Sequence, residues 1–263
     1  MKEDTEFHAA QNIEYAASLD VPHLGISRPR PGTCVIVGGA PSTSQYDSEI
    51  GLLRQQSRNC VIALNWAHTW LISRYIVPHA CVFFEIDTDP SGVLEQLHPD
   101  VTYYVCSHCH RQTWESLEGY KRVLWHAKAD PEVMCTAQAK YFPGEPLLSG
   151  GLTTLIRAID LGRMLGYRNF ELFGCDSSFS EHGPTHLVGY PLEAHEREGF
   201  LERIPICVDG ERVFWSTVYL AKQASQFREW CEANHMTILM RVHGDSLLRY
   251  LHEHDWQEMY HGF

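Results

Sequence analysis

The sequence predicts an α/β protein built on a mostly parallel sheet flanked by helices, with a lid-like insertion near the C-terminal third. Short apolar, β-prone stretches alternate with amphipathic ones along the chain. Their apolar residues run continuously rather than every second position, as in strands buried on both faces. Five of them also end on a glycine or a polar residue. Alternation of this kind is the sequence form of a parallel sheet covered by helices.

Residues 1–32 are polar, then proline-rich at Arg28-Pro-Arg-Pro-Gly32, and are expected to be an irregular lead-in. Residues 33–263 are expected to form a single domain. Strands are expected at 34–37, 60–64, 80–84, 102–106, 122–125, 170–173 and 237–240, and helices at 46–57, 66–75, 110–118, 150–165 and 215–234. The clearest helix carries Leu152, Leu155, Ile156 and Ile159 on one face and stops at Gly166. The stretch 176–212 is too long for an ordinary connection and reads as a lid or acceptor loop.

Composition narrows the function. A formal net charge of −12 disfavours extended nucleic-acid binding through broad phosphate neutralisation, while a modified base as acceptor stays open. No apolar run approaches a membrane span, and the acidic start Met1-Lys-Glu-Asp lacks the order of a signal peptide, so the expected location is cytoplasmic. Nine scattered cysteines suit buried thiols better than a disulfide framework. Oligomeric state is not legible, and a homo-oligomer is left open.

The chemistry centres on Cys34-Val-Ile-Val-Gly-Gly-Ala-Pro-Ser42. A buried strand running into a glycine turn and then a helix presents backbone N–H groups to an anion, and glycines allow close approach. Gly38, Gly39, Ala40 and Ser42 are therefore candidate phosphate-binding positions; the bland alternative is a tight turn with no ligand. The spacing is not that of a dinucleotide fingerprint. Ser149-Gly150-Gly151 opens the clearest helix and offers a second cradle, or merely an N-cap at Ser149. Ligands in open parallel sheets sit beyond the carboxyl ends of the strands, and there the chain also places Asn65, Asp87, Ser107 and Asp176. Asp87-Thr-Asp89 has the look of a carboxylate pair for Mg²⁺ or Mn²⁺, or of a turn at Asp89-Pro90. Asp176, His182 and His186 lie within eleven residues, and a histidine near neutrality is a natural general base for an acceptor hydroxyl. A loop of solvated histidines is the plainer reading. Cys106-Ser-His-Cys109-His110 invites a zinc site, but no second ligand pair lies at suitable spacing.

The order of these motifs (Val-Gly-Gly-Ala-Pro-Ser42, Asn65, Pro78 and Asp87, Ser149-Gly-Gly151, Gly174-Cys-Asp176 with His186) resembles the 6-hydroxymethylpterin diphosphokinase-like family, which includes the motility accessory factors. The layout is also similar to that of bacterial sialyltransferases using CMP-sialic acid. The resemblance runs from about Thr33 to Leu251, and Gly39-Ala40 departs from the usual Gly-Pro order. It implies a Rossmann-like transferase with nucleotide bound across Gly38–Ser42, Asn65 and Ser149–Gly151. On the sialyltransferase pattern a histidine is the base, His186 first and His182 second, and a nucleotide-sugar is the donor. On the diphosphokinase pattern ATP with Mg²⁺ donates pyrophosphate to a hydroxymethyl heterocycle, with Asp87 and Asp176 holding the ion. A third reading is a nucleotide-binding protein without turnover.

Overall fold

The structure, a computed structural model, describes residues 2–84, 95–128, 132–189, 202–234 and 239–254. Eight strands form one parallel sheet: β1 (Thr33–Val37), β2 (Cys60–Leu64), β3 (Ala80–Phe83), β4 (Thr102–Cys106), β5 (Lys121–Ala127), β6 (Leu147–Leu148), β7 (Asn169–Phe173) and β10 (Leu239–Val242). Their spatial order is β10-β7-β1-β2-β3-β4-β5-β6. β1 pairs with β2 in the register Cys34↔Cys60 and with β7 in the register Thr33↔Asn169, both parallel. The chain lays β1 to β6 down in one direction, then returns to the other side of β1 with β7. That reversal makes the β1/β7 junction the switch point of the sheet, where crossovers diverge and leave a crevice.

Cys34, Val35, Ile36 and Val37 are consecutive and wholly buried, as are Val61, Ile62 and Ala63, so both faces of the central strands are covered. Helices α2 (Asp47–Gln55) and α3 (Ala67–Ser73) pack on β2, while α6 (Thr154–Met164) crosses β1, β2 and β3. Gly162 permits that close crossing: a Cβ there would lie 2.8 Å from both Cys34 Sγ and the Phe170 ring. Among the remaining helices are α4 (Arg111–Ser116), α5 (Glu132–Tyr141), α7 (Val218–Asn234) and α8 (Leu247–Glu253). β8 (Ile204–Val208) and β9 (Arg212–Ser216) form a separate antiparallel hairpin. Its turn uses Asp209 and Gly210, both at positive φ, the backbone a tight hairpin requires. All nine cysteines are free thiols, five of them buried. Among the described residues no helix is long and apolar enough to cross a membrane.

Three expectations change. Residues 2–17 are not irregular: Lys2–Ala17 form a helix, α1, which packs on α5 and buries Ala9, Ile13 and Ala16. Asn12 Nδ2 donates to the His108 carbonyl at 2.9 Å and the Tyr141 hydroxyl to Glu14 at 2.6 Å, fixing its position. Part of 176–212 is likewise ordered as strand β8 of the hairpin, and residues 190–201 of that stretch lie outside the described ones. The last sheet strand occupies 239–242 rather than 237–240, with 235–238 outside the described residues.

Candidate functional site

At the switch point the ends of β1, β2 and β7 and the start of α6 enclose a cavity of about 170 Å³. Gly38, Gly39 and Ala40 line it from β1, Asn65 and Trp66 from β2, and Gly174 to Ser178 from β7. Thr153 and Thr154 close it from α6, Thr185 and His186 from the following loop, and Leu220 and Gln223 from α7.

The glycines divide their labour in a way the sequence does not reveal. The Gly38 N–H bonds to the Phe173 carbonyl at 2.8 Å and the Ala40 N–H to the Gly174 carbonyl at 3.1 Å, so β1 and β7 stay joined past their ends. A Cβ on Gly38 would stand 2.3 Å from the Gly174 oxygen, and one on Gly174, whose φ is +62°, only 1.7 Å from Thr43 Oγ1. These two are glycines because strand end meets strand end. Gly39 differs: nothing lies within 4 Å of the Cβ it lacks, and its N–H has no internal partner among the described residues. It is the position of this turn that a phosphate can approach.

Ser42 faces inward. Its N–H and hydroxyl both donate to the Asp176 carboxylate, at 3.2 and 2.6 Å. The side chain assigned to a ligand thus braces the turn against β7. Asp176 is 6% exposed. Burial pushes its pKa up to about 6 against the pull of the Ser42 hydrogen bonds. Each oxygen already accepts a bond from Ser42, and a Mg²⁺ or Mn²⁺ ion at Asp176 would have to use the remaining lone pairs of the ionised form. Asp87 and Asp89 lie outside the described residues.

The Asp176 shift carries a stability consequence with a definite sign. A carboxyl whose folded pKa is raised contributes most below its unfolded value near 3.8 and loses that contribution as pH rises through about 6. Asp176→Asn should therefore raise the midpoint of thermal unfolding above pH 7, by an amount on the order of 1–3 kcal/mol, with the gain gone at pH 4. Destabilisation that grows between pH 4 and pH 7 would mean that the ionised form is the one the fold prefers.

Asn65 sits at φ +45°, a left-handed backbone that asparagine tolerates better than most residues. Its N–H bonds to the Val82 carbonyl at 3.1 Å, which turns the chain out of β2 and into the cavity wall.

The second predicted cradle is displaced by a few residues. Thr153, not Ser149, is the N-cap of α6, its hydroxyl accepting from the Leu155 N–H at 3.4 Å. The Ser149 N–H bonds to Asp160 at 2.8 Å. Gly150 leaves room for the Arg157 guanidinium, 2.6 Å from where its Cβ would be, and Gly151 for Ile156 and Gln226. None of the three lines the cavity. They support the underside of α6, while Thr153 and Thr154 present its N-terminal end.

His186 lines the cavity, half-buried, with Thr185 Oγ1 3.0 Å from its Nδ1. Burial lowers its pKa, leaving a neutral imidazole near pH 7. Leu187, next along, donates its N–H to the Gly39 carbonyl at 2.9 Å and so ties this loop to the glycine turn. His182 does not line this cavity: its side chain is 90% exposed, with Glu181 Oε1 3.9 Å from its Nε2. Cys106 and Cys109 are buried, Cys109 Sγ donating to the Phe83 carbonyl at 3.5 Å, and His110 caps α4 by accepting from Gln112 N–H.

A second and wider cavity, about 610 Å³, adjoins the first and shares Trp66 and His186 with it. Trp70, Arg74, Glu95 and Val188 contribute to its walls, and the Arg74 guanidinium lies 5.4 Å from the centre of the Trp70 ring. Its volume falls in the range of small-molecule sites.

Residues 8–182 match the family model described as 6-hydroxymethylpterin diphosphokinase MptE-like, more than half of the chain. The chain belongs to the MptE-like family. The match runs from α1 through β7 to Asp176 and ends before His186 and α7, so part of the cavity wall of this MptE-like protein is outside it. Among solved structures, the chain is similar to the MAf glycosyltransferase from Magnetospirillum magneticum AMB-1, with 16% identity and a TM-score of 0.66 over 92% of this chain. It spans 38% of that protein's length, and the likeness is one of fold. No curated protein matches the sequence.

Proposed function

We propose that this MptE-like protein is a transferase that moves a group from a nucleotide-activated donor to an acceptor hydroxyl, most specifically a sugar from a nucleotide-sugar. The observation that carries the proposal is the pair of adjoining cavities with His186 and Trp66 on the wall of both. The narrow one is scaled to phosphate groups, with the Gly39 turn and the N-terminal end of α6 beside it. The wide one suits an acceptor lying along Trp66 and Trp70.

In this reaction the acceptor oxygen bonds to the anomeric carbon of the sugar as the bond from that carbon to the donor phosphate oxygen breaks. The hydroxyl proton passes to His186. Thr185 Oγ1 lies 3.0 Å from Nδ1, and the tautomer whose Nδ1–H donates to it places the base function on Nε2. Negative charge gathers on the departing phosphate, where the Gly39 N–H and the positive end of the α6 dipole oppose it.

The family description favours a second reading, transfer of pyrophosphate from ATP to a hydroxymethyl heterocycle. The same base would serve, with the acceptor oxygen attacking the β-phosphorus and AMP departing. Thermal unfolding with CMP, UDP, GDP, ATP and sugar nucleotides, with and without Mg²⁺, separates the two. A true donor at a hundredfold over its dissociation constant should stabilise the protein by about 2.7 kcal/mol. Stabilisation by a sugar nucleotide supports the first reading, and strict dependence on ATP with Mg²⁺ the second. Stabilisation by none of them would overturn both.

A further inference from the structure

At the β5–β6 edge of the sheet, about four strand spacings or roughly 19 Å from the switch point, three side chains converge that the transfer reaction does not use. His126 is on β5, His23 lies in the segment leading to β1, and Glu145 is in the turn between α5 and β6. Each is pinned by backbone bonds. Leu124 donates its N–H to the Pro22 carbonyl and accepts from the Leu24 N–H, both at 2.8 Å, which holds His23 beside the strand. Leu147 pairs with His126 in the β5–β6 ladder, two residues after Glu145.

We propose that His23, His126 and Glu145 bind one divalent transition-metal ion of the zinc type. His23 Nδ1 is 2.8 Å from Glu145 Oε1, His126 Nε2 is 2.9 Å from Glu145 Oε2, and one ligand atom from each residue lies within 4.8 Å of the others. Ligands bound at about 2.0–2.1 Å in a tetrahedral shell stand roughly 3.3 Å apart. A few tenths of an ångström of opening therefore admits the ion. Two imidazoles and one carboxylate suit zinc or cobalt, whereas Mg²⁺ and Ca²⁺ prefer oxygen throughout.

The surroundings prepare the ligand forms. Burial holds His126 below the usual histidine range, so its imidazole is neutral near pH 7. Glu145 is pushed up by partial burial but pulled down further by hydrogen bonds from His23 and His126, which keeps it ionised. Behind His126, the wholly buried Ser107 hydroxyl sits 3.0 Å from Nδ1. Without metal that hydroxyl can donate to Nδ1 while Nε2–H bonds Glu145. With metal it accepts from Nδ1–H and Nε2 is released to the ion, so the exchange is a tautomer shift that sheds no proton. The Phe142 ring packs on both imidazoles, its centre 4.2 Å from that of His126 and 5.8 Å from that of His23. His126 is 2% exposed, but the side chains of Glu145 and His23 are 27% and 38% exposed, which leaves a water-accessible fourth position and a path of entry.

The test is titration of chelator-treated full-length protein with Zn²⁺ by calorimetry and with Co²⁺ by visible absorption, with Mg²⁺ as comparison. Expected are one Zn²⁺ per chain, the strong visible bands of low-coordinate Co²⁺, no comparable Mg²⁺ binding, and a higher unfolding temperature with Zn²⁺. His126→Gln and Glu145→Gln should each weaken Zn²⁺ by at least about a hundredfold, and Ser107→Ala by about tenfold. His23→Gln alters a surface side chain, so the fold survives even if a buried substitution does not, and it should also remove the Co²⁺ bands. His182→Gln, another exposed histidine, should change nothing. Absence of stoichiometric Zn²⁺ in the unaltered protein, or a Zn²⁺ affinity in His23→Gln and Glu145→Gln unchanged from the parent, would overturn the proposal. Neither result bears on the nucleotide cleft.

Discussion

His186→Ala should lower turnover by about 10²–10⁴-fold, the usual contribution of a positioned general base, while donor affinity stays within about twofold. The split follows from geometry. His186 stands on the wall common to both cavities, whereas in the proposed complex the donor phosphate lies against the Gly39 turn and the start of α6. Its neutral form is held by burial, so the pH profile of turnover in the unaltered protein should fall on the acid side as the imidazole is protonated, at a pH below the ordinary histidine value. The variant should lose that limb. Turnover and donor dissociation constants measured side by side decide the matter: unchanged turnover, or a loss confined to donor binding, would remove His186 from the chemistry.

Gly174→Ala is expected to be the most damaging single substitution for folding, at roughly 2–5 kcal/mol. Two costs add. A left-handed backbone carries about 1–2 kcal/mol for a residue with a Cβ, and the methyl group would stand 1.7 Å from Thr43 Oγ1 and force β1 and β7 apart, an overpacking of the kind that costs about 1–3 kcal/mol. Gly39→Ala is the matched control. Nothing lies within 4 Å of its missing Cβ and its φ is not in the left-handed region, so unfolding in urea should shift by less than about 0.5 kcal/mol while donor binding weakens. A Gly174→Ala protein as stable as the parent would refute the account of why this turn is glycine-rich.

The central sheet was legible because its strands are buried on both faces, and continuous runs such as Cys34–Val37 and Cys60–Leu64 have no other ready explanation. Helix α1 was not. Its core-facing stripe is Ala9, Ile13 and Ala16, with Asn12 between them bonding to the turn after β4, and small or polar residues give little apolar contrast. Strand β6 has two residues, too few for any pattern. The hairpin did leave a signal, Asp209-Gly210 between β-prone stretches, that the charged surroundings masked.

For the site, the rule that ligands gather beyond the carboxyl ends of parallel strands named Gly38, Gly39, Asn65 and Asp176, which line the cavity, and Ser107, which does not. It could not say what each glycine accommodates. Gly38 serves Gly174, Gly150 serves Arg157, and only contact across the fold distinguishes them from Gly39. Thr153, Trp66, Leu220 and Gln223 were missed for the same reason: each is ordinary in its local sequence and reaches the cavity through packing of whole elements.

The hydrogen bond from the Leu187 amide to the Gly39 carbonyl has a mechanical consequence. It clasps the backbone next to His186 to the turn that carries Gly39, so on the proposed reaction a donor held at Gly39 and the imidazole would be coupled through a single hydrogen bond.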